Sequence, residues 1–161
     1  MQLSAMRKKS KYKPKGVILD VMGYVKESMT PVEKHGQFLI DLKIKNHEAV
    51  TALTQGRATR ADIDLIIAMV NMVEALYRMG FGKEYEDVVL DGLAAVRSVA
   101  RRGAEMGRFI LKAPEMAAIN LVTELHDAQM DVITVKDMEK AFQIVENEWR
   151  QKKMNPILER A

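Results

Sequence analysis

The chain has 161 residues, 48% of them hydrophobic, a net charge of +3 and no cysteine. That length fits one domain with enough apolar side chain to close a core, and the missing cysteine excludes disulfides, thiolate metal sites and cysteine nucleophiles together. A reducing, cytoplasmic setting is expected. The N-terminal charges are followed by no apolar stretch of signal-peptide type, and no run approaches the roughly 18 apolar residues of a membrane span. Twelve Met stand against four Phe, four Tyr and one Trp. Such a core is aliphatic and unbranched, which suits helices better than a β-sandwich.

The charge is unevenly placed. Arg7, Lys8, Lys9, Lys11, Lys13 and Lys15 supply six positive charges, so the remainder of a chain of net +3 is acidic by three. Residues 1–15 therefore read as a basic, disordered arm on a mildly acidic body. Tyr12 offers one ring that can stack on a base, and Pro14 keeps the segment extended. Binding of phosphate or of an acidic partner stands beside a plainer reading, a solvated tail that aids solubility.

Residues 16–161 are expected to form a single helical domain, with a strap over 16–45 and a bundle over 46–154. In the strap, Val17, Ile18, Leu19, Val21 and Met22 cluster, Thr30-Pro31 interrupts, and Ile40, Leu42 and Ile44 alternate with Asp41, Lys43 and Lys45 in a strand-like rhythm. An irregular or partly β strap is predicted. Asn46 then caps a short helix that presents Ala49, Val50 and Leu53, and Gly56 sits where a left-handed C-cap belongs. Thr59, with Asp62 three residues on, opens a second helix running to Met79. Ile63, Ile66, Ile67 and Val70 mark it as central and largely buried.

Gly80 and Gly82 end that helix, and a third covers 83–106. Val88, Val89, Val96 and Val99 make its inner stripe, and Gly92 and Ala95 permit close approach of a neighbour. Pro114 starts a fourth helix with Ala118, Leu121, Val122, Leu125 and Val132 inward. Thr134 and Asp137 repeat the capping pair before a fifth, whose stripe is Met138, Phe142, Val145 and Trp149, stopped by Asn155-Pro156. The expected fold is all-α: a compact antiparallel bundle of about five helices.

No constellation suggests catalysis, a metal or a cofactor. His35, His47 and His126 lie in none of the recognised metal spacings, and His126 reads as a boundary residue. Gly80-Phe81-Gly82-Lys83 lacks the spacing of a phosphate-binding loop. A helix-turn-helix reading of 46–67 is weakened by Asp62 and Asp64, which would repel phosphates. Arg97, Arg101 and Arg108 fall along one side of the third helix if it continues through Gly107, with Arg102 adjacent. Arginine favours bidentate contact with phosphate or carboxylate; intramolecular pairing with Glu105 or with Glu124, Asp127 and Asp131 is the alternative.

The stretches Leu42-Lys43-Ile44-Lys45-Asn46-His47, Ala52 to Asp62 and Glu124 to Gln129 resemble small uncharacterised proteins of bacteriophages and other bacterial mobile elements. That resemblance carries no catalytic motif. It implies a small non-enzymatic accessory protein that binds nucleic acid, regulates genes or blocks a host machine. The expected function is nucleic-acid binding through the arm and the arginine cluster; the alternative is a protein-interaction module, such as an inhibitor of a host or defence complex. Trp149, with Met154, Ile157 and Leu158 beyond it, leaves an apolar end that favours a homo-oligomer.

Overall fold

The computed structural model describes Pro31 and residues 36–151. Five helices run in order, α1 (Gly36–Thr54), α2 (Arg60–Arg78), α3 (Glu86–Met106), α4 (Ala113–Val132) and α5 (Val135–Arg150), with a 3-10 turn Lys83–Tyr85 leading into α3. The all-α bundle expected from the periodicity is what forms.

The helix starts follow local chemistry. The Thr59 hydroxyl accepts the Asp62 backbone N–H while the Asp62 carboxylate accepts the N–H of Thr59. Thr134 and Asp137 do the same at α5. Each box satisfies two helix N–H groups that have no intrahelical partner. At α4, Glu115 accepts the backbone N–H of Lys112 at 2.8 Å, and proline stands in the first turn, where its missing N–H costs nothing.

Side-chain pairing fixes the helix directions. Lys43 meets Asp131 and His47 meets Asp127, so α1 and α4 are antiparallel; Arg102 meets Glu115, and Gly92 abuts Val122, so α3 and α4 are too. The tight turns after α1 and α2 reverse the chain each time. Ile63, Ile66, Val70 and Val73 of α2, Val89, Val96 and Val99 of α3, and Ile119 and Val122 of α4 fill the main core, joined by Val50 and Leu53 of α1. A second cluster, built from Leu39, Met72, Leu76, Met130, Ile133, Met138 and Ala141, lies where α5 packs on the second half of α2. Each fully buried aliphatic residue adds about 1.5–3 kcal/mol relative to exposure. The buried Gln129 amide donates to the carbonyls of Val73 and Phe81 and so ties α4 to α2 and to the turn after it.

The strap boundary is the largest correction. Residues 36–45 are helical, and Asn46 is no cap but a buried residue in the middle of α1. The stripe of α1 runs through Leu39, Leu42, Asn46, Ala49, Val50 and Leu53 at helical spacing, and the polar Asn46 breaks it. Ile40 and Ile44, which made the alternation look strand-like, point outward. An isolated antiparallel bridge joins Pro31 to Thr134; the rest of the expected strap, 16–30 and 32–35, lies outside the described residues, as do the arm and Asn155-Pro156.

Two inner faces are also rotated. Leu121 is 50% exposed and Val132 66%, while Ile119, Thr123, His126 and Met130 are buried in their place. On α5 the buried pair is Met138 and Ala141, and Phe142 stands 53% exposed. Ile67 and Val145 are only partly buried. α3 does not continue through Gly107, which adopts φ +73 and ends it.

Candidate nucleic-acid interface

The topology brings the C-termini of α1 and α3 and the N-termini of α2 and α4 to one pole, where Leu53, Ala58, Phe109 and Leu111 share the main core. Arg57, Arg60, Arg97, Arg101, Arg108 and Lys112 are exposed at or near this pole. Two of its acids are already committed: Asp62 caps α2, and Glu115 is held by Arg102 and Lys112. Glu105, on the same helix as Arg101, is exposed.

The four arginines singled out from the sequence separate into two kinds. Arg97 and Arg101 lie one helical turn apart on the same side of α3, and Arg108 follows the left-handed Gly107 at the same pole. None of these three has a hydrogen-bond or ion-pair partner among the described residues. Arg102 is different. Its two terminal nitrogens donate to both Glu115 oxygens, at 3.0 and 2.5 Å, and one of them also reaches the Ile110 carbonyl at 2.6 Å. Hydrogen bonding to Glu115 raises the guanidinium above its ordinary pKa, and hydrogen bonding from Arg102 holds the Glu115 carboxyl below the usual range despite its burial. Arg102 is therefore a clamp between α3 and α4, and intramolecular pairing accounts for it. The partner is Glu115, not Glu105 or the acidic residues at 124, 127 and 131.

Arg7, Lys8, Lys9, Lys11, Tyr12, Lys13 and Lys15 lie outside the described residues. Arg57 and Lys112 sit on different connections, and only the antiparallel order of the helices brings them to the same pole as Arg101 and Arg108. The Arg57 Nε donates to Gln55 at 2.7 Å, which leaves the rest of its guanidinium pointing to solvent.

A second polar constellation lies on the α1–α4 seam. Lys43 and His47 are spaced i,i+4 on α1, and Asp127 and Asp131 are spaced i,i+4 on α4, so the two pairs meet at 2.8 and 2.7 Å. The Asp127 carboxylate accepts from His47 Nε2. Its other oxygen stands 3.6 Å from Nδ1 of His126, beyond hydrogen-bond reach. Burial pushes the Asp127 carboxyl up, but the two imidazoles, His126 and His47, outweigh it and the group titrates below the usual carboxylate range. His126 is not a boundary residue: it is 2% exposed. The matched i,i+4 spacings were present in the sequence, yet a strand-like reading of 40–45 hides them.

Among the described residues no cluster of histidine and carboxylate groups is arranged to hold a metal ion, and no helix is long and apolar enough to cross a membrane. Comparison with protein families, with curated proteins and with solved structures finds no match to this chain, so the case for a function rests on its own residues.

Proposed function

We propose that this protein is a non-enzymatic accessory or regulatory protein of a phage or mobile element that binds the phosphate backbone of nucleic acid with its arginine pole. The observation that carries the reading is the contrast at that pole. Arg97, Arg101 and Arg108 are exposed without an acidic partner among the described residues, while the neighbouring Arg102 is neutralised by Glu115. An unpaired guanidinium presents a planar fork of donors matched to phosphate oxygens, and Arg57 and Lys112 extend the positive surface across the helix ends. The arm adds six further charges on the same chain. Contacts of this kind position a protein on nucleic acid without reading its sequence. Action by binding rather than by catalysis also fits the histidines, since His126 is sealed in the core and His47 is committed to Asp127.

The test is fluorescence anisotropy on duplex and single-stranded probes over a salt series, with the full chain compared against one shortened to begin at Gly16. Binding that weakens steeply with salt, and a flatter slope for the shortened chain, are the expected results. No binding at low salt ends the proposal and moves the protein-interaction reading, which the exposed Phe142 and Trp149 favour, into first place.

A further inference from the structure

A groove of about 730 Å³ runs between α3 and α4. Ala94, Ala95 and Ala118 line it together with the half-exposed Leu121, and its α3 wall carries Asp87 and Asp91. Neither aspartate has a hydrogen-bond or ion-pair partner among the described residues. That wall changes sign along its length. Asp87, Asp91, Ala94, Ser98 and Arg101 follow one another at spacings of three and four, so they share one side of α3. The side is acidic where the helix starts and basic where it reaches the arginine pole.

We propose that the basic arm of this same chain docks in the α3–α4 groove, with its lysines on Asp87 and Asp91, and that nucleic acid at the arginine pole takes the arm in exchange. Three observations select the arm as the occupant. The first is charge: the arm carries six cations, and the groove offers two unpaired carboxylates. The second is spacing. Lys11, Lys13 and Lys15 alternate with Tyr12 and Pro14, so an extended chain sets the lysines about 6.6 Å apart on one side and the two rings on the other. Asp87 and Asp91 stand one turn apart, about 6 Å along the helix, so two lysines meet two carboxylates while Tyr12 rests on the alanines. The third is reach. Pro31 is bridged to Thr134, between α4 and α5, at the pole where α3 also begins. Residues 16–30 span at most about 50 Å, against about 31 Å for the whole of α3. Exposed ion pairs are weak singly, but attachment to the same chain supplies an effective concentration on the order of millimolar. The exchange rests on the nucleic-acid reading above; the docking itself does not.

The chain has no cysteine, so Ser10→Cys takes a single nitroxide label within the arm, and amide signals of the full chain broaden wherever the label comes close. At about 10 mM salt, where charges are little screened, the expected result is loss of signal at Ala94, Ser98 and Ala118. The signals should return at about 1 M salt. Asp87→Asn with Asp91→Asn should restore them at low salt; both side chains are exposed, and an unchanged spectrum elsewhere shows that the fold is kept. Lys11→Gln, Lys13→Gln and Lys15→Gln together should do the same from the arm side. Broadening spread evenly over the surface, centred on another face, or unchanged in both variants would overturn the docking. Adding a single-stranded probe until the Arg97 and Arg101 signals shift should also clear the groove. A groove still broadened with the probe bound would overturn the exchange. A probe that shifts no signal at the pole would end the nucleic-acid reading and the exchange with it, while the low-salt spectra still decide the docking.

Discussion

Arg102 of α3 holds Glu115 of α4 in a two-pronged pair, with the side chains 21% and 13% exposed. The same carboxylate accepts the backbone N–H of Lys112 at the start of α4. One acid thus clamps two helices and caps one. Replacing Glu115 with Ala should destabilise the protein by about 1–3 kcal/mol, the range for stranding a charge-assisted partner in a partly buried site, measured as a shift in the urea midpoint at neutral pH. The same substitution should leave affinity for nucleic acid within a few-fold of the parent, since Arg102 is turned inward.

The acid limb of stability carries a second expectation. Glu115 and Asp127 both titrate below the ordinary carboxylate range, so each favours the folded state once ionised. Their contribution is complete above the unfolded-state carboxyl value, about 4, and is lost as pH falls through the depressed folded-state values. Unfolding curves from pH 7 down to pH 2.5 should show Glu115→Gln less stable at pH 7 but converging on the parent at the acid end. Parallel curves for the two proteins across that range would contradict the pairing.

Gly92 stands where α3 packs closely on Val122 of α4. A Cβ there would come within 2.8 Å of Cβ of Val122, itself fully buried and β-branched, with no rotamer that withdraws both methyls. Gly92→Ala should therefore cost about 1–3 kcal/mol of strain, although alanine is the better helix former by about 1 kcal/mol. A melting temperature equal to or above the parent would show that the helices separate at this point without cost.

Core substitutions on α4 distinguish its two candidate faces. Ile119 has no exposed surface, so Ile119→Ala should destabilise by about 2–5 kcal/mol, while Leu121, half exposed, should lose less than about 1 kcal/mol on the same change. Equal losses would mean that α4 is rotated from the orientation described.

Legibility followed chemistry. The boxes at Thr59 and Thr134, the stop at Gly56 and the Gly92 approach were readable because each depends on residues within a few positions or on one small side chain. The helix faces were less so. On α4, Leu121 and Val132 are large and outward while Thr123, His126 and Gln129 are polar and buried, so hydrophobicity alone turns the helix the wrong way. Their burial depends on how the helices pack, as where Gln129 donates to the Val73 carbonyl of α2, and no local rule contains that. The arginines were legible as a charge cluster, but the fate of Arg102 was not, because Glu115 reaches it only after the chain reverses at Gly107 and Pro114.

If Arg97, Arg101 and Arg108 take phosphates, the salt slope of binding reports them. Each neutralised phosphate releases counterions and steepens the fall of log affinity with log salt by about 0.9 on duplex DNA. With the arm intact, Arg97, Arg101 and Arg108 changed together to Ala should weaken binding at low salt by more than tenfold and reduce the slope by about 1 to 3, with the urea midpoint unchanged because all three side chains are exposed. A triple variant that binds with the parent's affinity and slope would contradict the assignment of this pole as the phosphate-binding surface.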